Sequence, residues 1–431
     1  MKFLLNNKNF LFLLLGRIIT NIGDSIYYVA SMWLVFELGG STFYTGLAGT
    51  LVMLPKVFQF LVGPLIDRWK IKKILVISQA LQCFLILVIP ISYYLDILTI
   101  QMILIIMPIV AVIEQFTYPA QNKALPLTIH KSDLVKGNTY FSFAYQGIDL
   151  IFNSIAGILV AVMGAISLFL LDSVTFAITA MLFSLLKLPE TGTKNVQKDN
   201  NYTGIINSVR NYIIELKEGC SIVFKSLIII FLIGAIFVNF AIGITYSILP
   251  SYSAMKGGPE VYGYYLTALS AGSLIGAILA SVLKEVKVSI LVIVGFFLAA
   301  CSWYSSAMIA SVTISVILFG IAWIPIGGTN VIFGSIIQSV IPNSLLGRVS
   351  SVVFSISSIT LPIGSFIGGY LGTVINNETI FMYTGLGSLL ISLIWLLHPK
   401  LRSLSKSSEI NAETFNLKVS VNPVKEESKT G

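Results

Sequence analysis

Long apolar runs separated by short polar stretches set the rhythm of this chain. A membrane-crossing helix needs about 20 mostly apolar residues, and on that measure the pattern predicts about twelve spans. The first six lie near 10–37, 43–65, 74–94, 98–118, 136–162 and 165–187. The second six lie near 226–250, 260–283, 288–308, 312–335, 346–375 and 379–398. Residues 188–225 break the rhythm. A polar run, PETGTKNVQKDNNYTG, leads into a stretch with Ile205, Val209, Ile213 and Leu216 at helical spacing beside Arg210, Glu215 and Lys217. That is the pattern of an amphipathic helix on a membrane surface. Residues 399–431 are polar and charge-rich, and predict a disordered tail. The first apolar run carries Arg17 and Asp24 and is too long for a secretory signal, so it reads as a retained span.

The expected organisation is therefore a bundle over 1–187, a linker over 188–225, a second bundle over 226–398 and a tail over 399–431. Composition agrees with a membrane setting. Apolar residues make up 56% of the chain and charged ones 11%, against about 25% charged in soluble domains. No water-soluble core hides that much apolar surface, whereas lipid removes the need to hide it. The three cysteines (Cys83, Cys220, Cys301) and two histidines (His130, His398) fall at no metal, redox or hydrolase spacing, and no phosphate-binding loop of the G-x-x-x-x-G-K-S/T kind occurs. Neither a metal, a cofactor nor an enzymatic activity is expected.

The net charge of +8 raises the question of a nucleic-acid partner, but its distribution answers it. With the N-terminus in the cytoplasm, only Lys256 of the 27 Lys and Arg residues falls in an outer loop. Arg17 and Lys56 fall inside spans, and the rest are cytoplasmic, mainly in Arg68–Lys73, Lys123–Lys136, the linker and the tail. This is the positive-inside bias. It predicts a multi-pass protein of a bacterial cytoplasmic membrane with both termini in the cytoplasm, and no nucleic-acid partner.

The two halves repeat each other. Residues 130–159 and 342–371 align without gaps, so that Ser132 meets Ser344, Lys136 meets Arg348 and Gly157 meets Gly369. The starts of spans two and eight also correspond, as GGSTFYTG (39–46) and GGPEVYG (257–263). Both matches are six spans apart with the same orientation, which implies parallel repeats about an axis along the membrane normal. The fold class is all-α, with about twelve transmembrane helices in two six-helix pseudo-repeats.

After span two comes GPLIDRWKIKK (63–73), which resembles the G-x-L-x-D-R-x-G-R-K loop of the major facilitator superfamily at Gly63, Leu65, Asp67, Arg68 and Lys72, and departs from it at Lys70 and Ile71. In that family the loop latches the halves together in the outward-facing state. The resemblance implies that Gly63, Asp67, Arg68 and Lys72 form such a latch, with Asp67 engaging the start of span eleven near Arg348. A glycine permits a tight helix exit and an aspartate suits a helix N-terminus. Over nearly all of the chain the pattern also resembles the drug:proton antiporter branch that includes macrolide-efflux proteins. The Gly-Pro-containing run expected on span five appears here as GIDLIFNSIAG without proline. Its counterpart on span eleven, LPIGSFIGG, keeps proline and glycine.

Five charged residues lie within the predicted spans: Arg17, Asp24, Lys56, Glu114 and Asp149. Each would cost about 2.5–3.5 kcal/mol facing lipid, so they are expected to face a hydrated cavity or one another. Arg17, Asn21, Asp24 and Tyr28 share one helix face. Gln146, Asp149 and Asn153 form a second stripe, Lys56 and Gln59 a third, and Glu114 with Gln115 polarises span four. The resemblance implies that these spans line a central cavity, to which the second half adds Asn239, Tyr246, Trp323 and Asn330. Asp24, Glu114 and Asp149 are the candidate proton-exchanging groups, because burial and nearby cations push a carboxylate's proton affinity in opposite directions. Permanent structural ion pairs among Arg17, Lys56 and the carboxylates are the competing reading. Asp172 is expected nearer the outer end of span six, within reach of interfacial water. With these charges, the resemblance implies a monomeric, proton-coupled exporter of small amphipathic compounds such as macrolide-type drugs. The same fold carrying a siderophore, lipid or nutrient, or acting as a membrane sensor, remains the alternative.

Overall fold

A computed structural model describes residues 7–59, 62, 66, 69–130, 133–188, 214, 217–283, 285–412, 414 and 415. The described secondary structure is almost entirely helical. In the first half α1 is Lys8–Gly39, α2 Thr42–Val57, α3 Ile71–Tyr94, α4 Ile100–Thr128 and α6 Ala165–Ser184. Between the last two, α5 runs as Leu134–Ser142, a π-helical turn Phe143–Gly147, and Ile148–Met163. In the second half α7 is Ile228–Lys256, α8 Pro259–Leu283, α9 Val288–Met308 and α10 Val312–Val340. α11 comprises Asn343–Ser358 and Thr360–Val374, and α12 Asn377–Thr384 and Leu386–Leu397. Among the described residues, ten helices are long and apolar enough to cross a membrane. α2 and α5 complete the dozen: the described helix of α2 stops after Val57, and the π-turn divides α5.

Helix ends are fixed by the usual chemistry. The Asn7 side chain accepts from the Phe10 amide at 3.2 Å and Ser41 Oγ from the Phe43 amide at 3.2 Å, satisfying amides that have no helical partner. Gly40 closes α1 in the left-handed region, φ +60°. Outward-facing side chains such as Phe84, Val162 and Val282 are exposed along the outside of the bundle, as a lipid-facing surface requires.

The repeat read in the sequence is visible in the packing. α1 packs on α5 and α6, α2 on α4, and α3 on α4 and α6; six helices later α7 packs on α11 and α12, α8 on α10, and α9 on α10 and α12. The halves meet crosswise, α2 on α11 and α5 on α8. At both crossings glycine faces glycine. A Cβ on Gly46 would lie 2.5 Å from the Gly369 Cα, and one on Gly263 2.8 Å from the Gly157 Cα, both inside van der Waals contact. Gly46 and Gly263 end the two matching starts of spans two and eight, and Gly157 and Gly369 are the aligned pair of spans five and eleven. The two contacts are therefore symmetry mates of one another.

This seam lies toward one end of the molecule, the distal end, where α1 finishes and α2 begins. The chain's first described residues and residues 399–412, 414 and 415 lie at the other, terminal end. Hydroxyls reinforce the seam: Thr42 Oγ1 donates to Gly369 O at 3.0 Å, Thr45 Oγ1 to Ser247 O at 2.6 Å, Thr50 Oγ1 to Pro362 O at 3.0 Å, and Ser365 Oγ to Gly46 O at 3.1 Å. Thr45 and Thr50 also bond within their own helix, to Thr42 O at 2.8 Å and Gly46 O at 2.7 Å. Trp33 stacks on Tyr262 beside them, with ring centroids 6.0 Å apart.

Three expectations need correction or delimiting. The tail 399–431 was expected to be disordered, yet its first part packs beneath the second half. Ser405 O accepts from Val288 N–H at 3.0 Å and Phe415 O from Leu227 N–H at 3.1 Å. The Phe415 ring is 1% exposed and sits 5.3 Å from that of Phe231. Leu401, Leu404, Ile410 and Phe415 are buried anchors at irregular spacing, which a reading of average composition misses. Phe415→Ala is expected to cost about 3 kcal/mol, measured as an earlier thermal unfolding transition in detergent. Second, α4 continues to Thr128 rather than ending near 118. Third, most of the linker lies outside the described residues, although 217–225 is helical.

Candidate functional site

On the terminal side of the glycine seam a cavity of about 360 Å3 opens between the halves. Its depth follows from the helix ladder. α1 reaches the seam at Trp33 and presents Asn21, Asp24 and Tyr28 to the cavity one to three turns earlier; α2 passes from the seam at Thr42–Thr50 to Lys56 on the cavity wall. At about 1.5 Å rise per residue these positions are near mid-span. Glu114 of α4 and Tyr246 of α7 join them. Six residues singled out in the sequence are thus brought to one chamber.

The lining is lopsided. Among the described residues the charges, Asp24, Lys56 and Glu114, come from the first half, and the second half supplies Tyr246, Leu266, Leu269, Ser270, Phe354, Ser358 and Leu361. Such a wall offers charge on one side and apolar and hydroxyl contact on the other. Sequence reasoning missed Tyr118 and Tyr145, which also line it and meet edge-to-face with centroids 4.7 Å apart. Tyr118 lies four residues after Glu114, on the same helix face, a spacing that would have found it.

The π-turn gives α5 its place in the site. It lies where the Gly-Pro run of the resembled branch would begin, and π-turns bend helices as prolines do. Within it, Ala144 O accepts from Asn21 Nδ2 at 2.7 Å, while the Tyr118 hydroxyl donates to Asn21 Oδ1. One asparagine thereby ties α1, α4 and α5 together.

Arg17 does not line the cavity. It is 5% exposed on the terminal side, where its guanidinium donates to Gln121 Oε1 and Asn122 Oδ1, both at 3.1 Å. It also lies 4.7 Å from the Tyr118 ring centroid and 4.6 Å from that of Phe141. Helical periodicity placed Arg17 on the correct face of α1 but not at the correct depth. The extra turns of α4 supply its amide partners. Arg17→Ala is expected to cost about 3 kcal/mol, since it removes charged hydrogen bonds and desolvated ring contacts together. Reduced yield of folded protein and a lower thermal midpoint would register the loss.

Other assignments also move. Gln115 is buried and donates back to Ala111 O at 2.9 Å, filling its own helix rather than the cavity. Trp323 stacks on Trp303, centroids 6.0 Å apart, inside the aromatic core of the second half. Gln59 follows the end of α2 and is not on the cavity wall. Asn239 and Asn330 line a different cavity, of about 400 Å3, among α7, α10 and α11. Asp172 is not at the interface with water. It is 0% exposed, accepts from Thr175 Oγ1 at 3.1 Å and packs against Gly23 of α1, because the small glycine admits a carboxylate between the helices.

Gly63, Asp67 and Arg68 lie outside the described residues, as do the side chains of Gln146, Asp149 and Asn153. Lys72 is exposed in the first turn of α3. Arg348, at the start of α11, forms an ion pair with Glu218 of the linker helix at 2.5 Å.

Comparison with known proteins agrees with this architecture. The chain is 24% identical over 402 residues to macrolide efflux protein A of Streptococcus pyogenes, covering 90% of this chain and 95% of that protein. It is 21% identical over 415 residues to the multidrug efflux pump Tap of Mycolicibacterium fortuitum, covering 93% and 98%. Its fold superposes on a bacterial homologue of the human lysosomal transporter Spinster, in an inward-facing and occupied conformation, with TM-score 0.66 and 13% identity over 90% of this chain and 95% of that one. A D-xylose–proton symporter gives TM-score 0.64 at 14% identity, covering 92% and 98%. The sequence profile of the family described as transmembrane secretion effector matches residues 4–429, and with that match the chain belongs to this family: it is a multi-pass membrane transporter of the major facilitator superfamily.

Proposed function

We propose that the protein exports small amphipathic organic compounds, macrolide-type drugs among them, in exchange for protons by alternating access, and works as a single chain. The reading rests above all on the mid-span cavity, whose acidic and basic groups stand on the first half among tyrosines and whose wall from the second half is apolar and hydroxyl-bearing. An amphipathic solute fits such a wall with its ring system on the second half. Asp24 and Glu114, with Asp149, exchange the protons. The bundles 1–187 and 226–398 are the bodies that rock about the seam, and 188–225 tethers them. With both termini in the cytoplasm, a sealed distal end corresponds to an inward-open state, ready to load from the cytoplasm or the inner leaflet. The loop carrying Gly63, Asp67, Arg68 and Lys72 closes against Arg348 in the opposite state. The efflux proteins among the relatives favour export over uptake.

A drug-susceptibility panel in an efflux-deficient bacterial host tests this directly. Expression is expected to raise the inhibitory concentration of at least one macrolide or amphipathic dye severalfold, and a protonophore to abolish the gain in dye efflux. Resistance that survives the protonophore would remove the proton coupling. No protection against any compound would remove the export assignment.

A further inference from the structure

The cavity that holds Asn239 and Asn330 has no role in the central chamber, and its construction is unusual. Asn330, Gly334 and Gln338 follow one another at i, i+4 and i+8 along α10 and all line it, so one face of the helix reads amide, glycine, amide. Glycines elsewhere on α8 and α10 are jammed against neighbouring backbone: a Cβ on Gly272 or Gly327 would collide with a carbonyl. A Cβ on Gly334 would meet nothing within 4 Å. Gly334 therefore does not serve a close helix approach here; the side chain it lacks leaves space. Around that space stand Phe333, Phe354 and, from the tail, Phe415. Phe354 is shared with the central cavity, and Ser357 and Ser358 face the two cavities from neighbouring positions on α11.

The geometry points to this cavity as a second binding site, an antechamber that takes an uncharged cyclic or aromatic portion of an amphipathic solute before it passes Phe354 into the central cavity. The rings of Phe333 and Phe354 give stacking surface, and of the three carboxamides Asn330 and Gln338 offer donors and acceptors, while Asn239 Nδ2 already donates to Ser357 O at 2.9 Å. Among the described residues the lining carries no Lys, Arg, Asp or Glu, so those side chains offer a phospholipid headgroup no counter-charge. The occupant is then the exported compound itself, and to that extent the site rests on the export reading above. The order of charge is also sensible: an uncharged first site selects for shape and apolarity, while the charged chamber beyond it couples the solute to protons.

The test uses the full chain with Cys83, Cys220 and Cys301 replaced by alanine and Gly334→Cys added, in lipid nanodiscs. Alkylation of the new thiol by N-ethylmaleimide is timed with and without saturating erythromycin, ethidium or tetraphenylphosphonium. Export of the same three probes is followed in vesicles holding the otherwise unaltered protein. At least one probe is expected to slow alkylation about tenfold, while Ser335→Cys, one position round the same helix, keeps its rate. Gly334→Trp is expected to lower export of that probe at least tenfold, with Gly334→Ala retaining more than half. Export without any protection of Gly334→Cys overturns the antechamber and leaves the exporter standing. Equal slowing at positions 334 and 335 overturns it as well, since it would report a conformational change. Protection at 334 alone without export supports the site and sinks the export reading, and neither protection nor export sinks both.

Discussion

Gly157→Leu is expected to lower transport at least tenfold while leaving the protein folded, and Gly46→Leu to do the same. Each glycine lets a helix of one half lie against the backbone of the other, at the two symmetry-related crossings of the distal seam. A leucine there forces α5 from α8, or α2 from α11. Overpacking costs about 1–3 kcal/mol in ordinary cores, and here the opposing surface is backbone, which cannot rotate away. The cost falls on the state in which the seam is closed and is absent once the halves have parted at that end, so it shifts the balance between two states rather than unfolding either. About 5.5 kcal/mol moves a two-state balance from 99:1 to 1:99, and the two substitutions together are expected to approach that. Because the two crossings are equivalent by the repeat, the single variants should shift the balance in the same direction. The measurement is the reactivity of Thr45→Cys toward a membrane-impermeant maleimide added from the distal side. Thr45 is fully buried in the seam, and its cysteine variant should label many times faster when Gly157→Leu is present. Wild-type transport and unchanged labelling would show that the seam does not open during the cycle.

Asp24→Asn should abolish pH-gradient-driven export, at least a hundredfold, in a protein that still reaches the membrane and still exchanges labelled substrate at equilibrium. The carboxylate lines the same chamber as Lys56 and Glu114, and amide replacement keeps its shape while removing its exchangeable proton. A purely structural role makes a different forecast. If Asp24 serves only to neutralise Lys56, then Lys56→Gln combined with Asp24→Asn removes both charges and should restore coupled transport. If Asp24 carries the proton, the double variant stays uncoupled. A double-mutant comparison of this kind separates the two because the residues share one site. Full coupled transport by Asp24→Asn alone would refute the assignment.

The bundle and its internal symmetry were readable in the sequence because they depend on long averages: apolar run length, charge bias between loops, and two matches at one six-span offset. The alignment even placed Gly157 against Gly369, whose structural counterparts are the two glycine crossings. What was not readable depends on depth or on single anchors. Arg17 and Asp24 share a face of α1, but seven residues separate them, about 10 Å along the axis, and that distance puts one in packed amides and rings and the other in the cavity. Asn239 and Asn330 face inward as expected, yet into a different chamber. Trp323 likewise points inward, but into an aromatic stack. Asp172 was placed near water by its position along span six, whereas Gly23 on a distant part of the chain decides its surroundings. Phe415 is one aromatic residue in a polar stretch, a signal that composition dilutes and only its contact with Phe231 reveals.

The threonines at the crossing have a consequence for how freely the molecule cycles. A hydroxyl torn from its acceptor before water has entered the opening seam is an orphan, and each such orphan would add to the barrier. Thr45 and Thr50 escape this because each hydroxyl already engages a carbonyl of its own helix as well as one across the divide. When the halves separate, these two groups keep a resident acceptor and release only a borrowed one. At these two positions the contacts across the joint can be surrendered and regained, cycle after cycle, without stranding the hydroxyl.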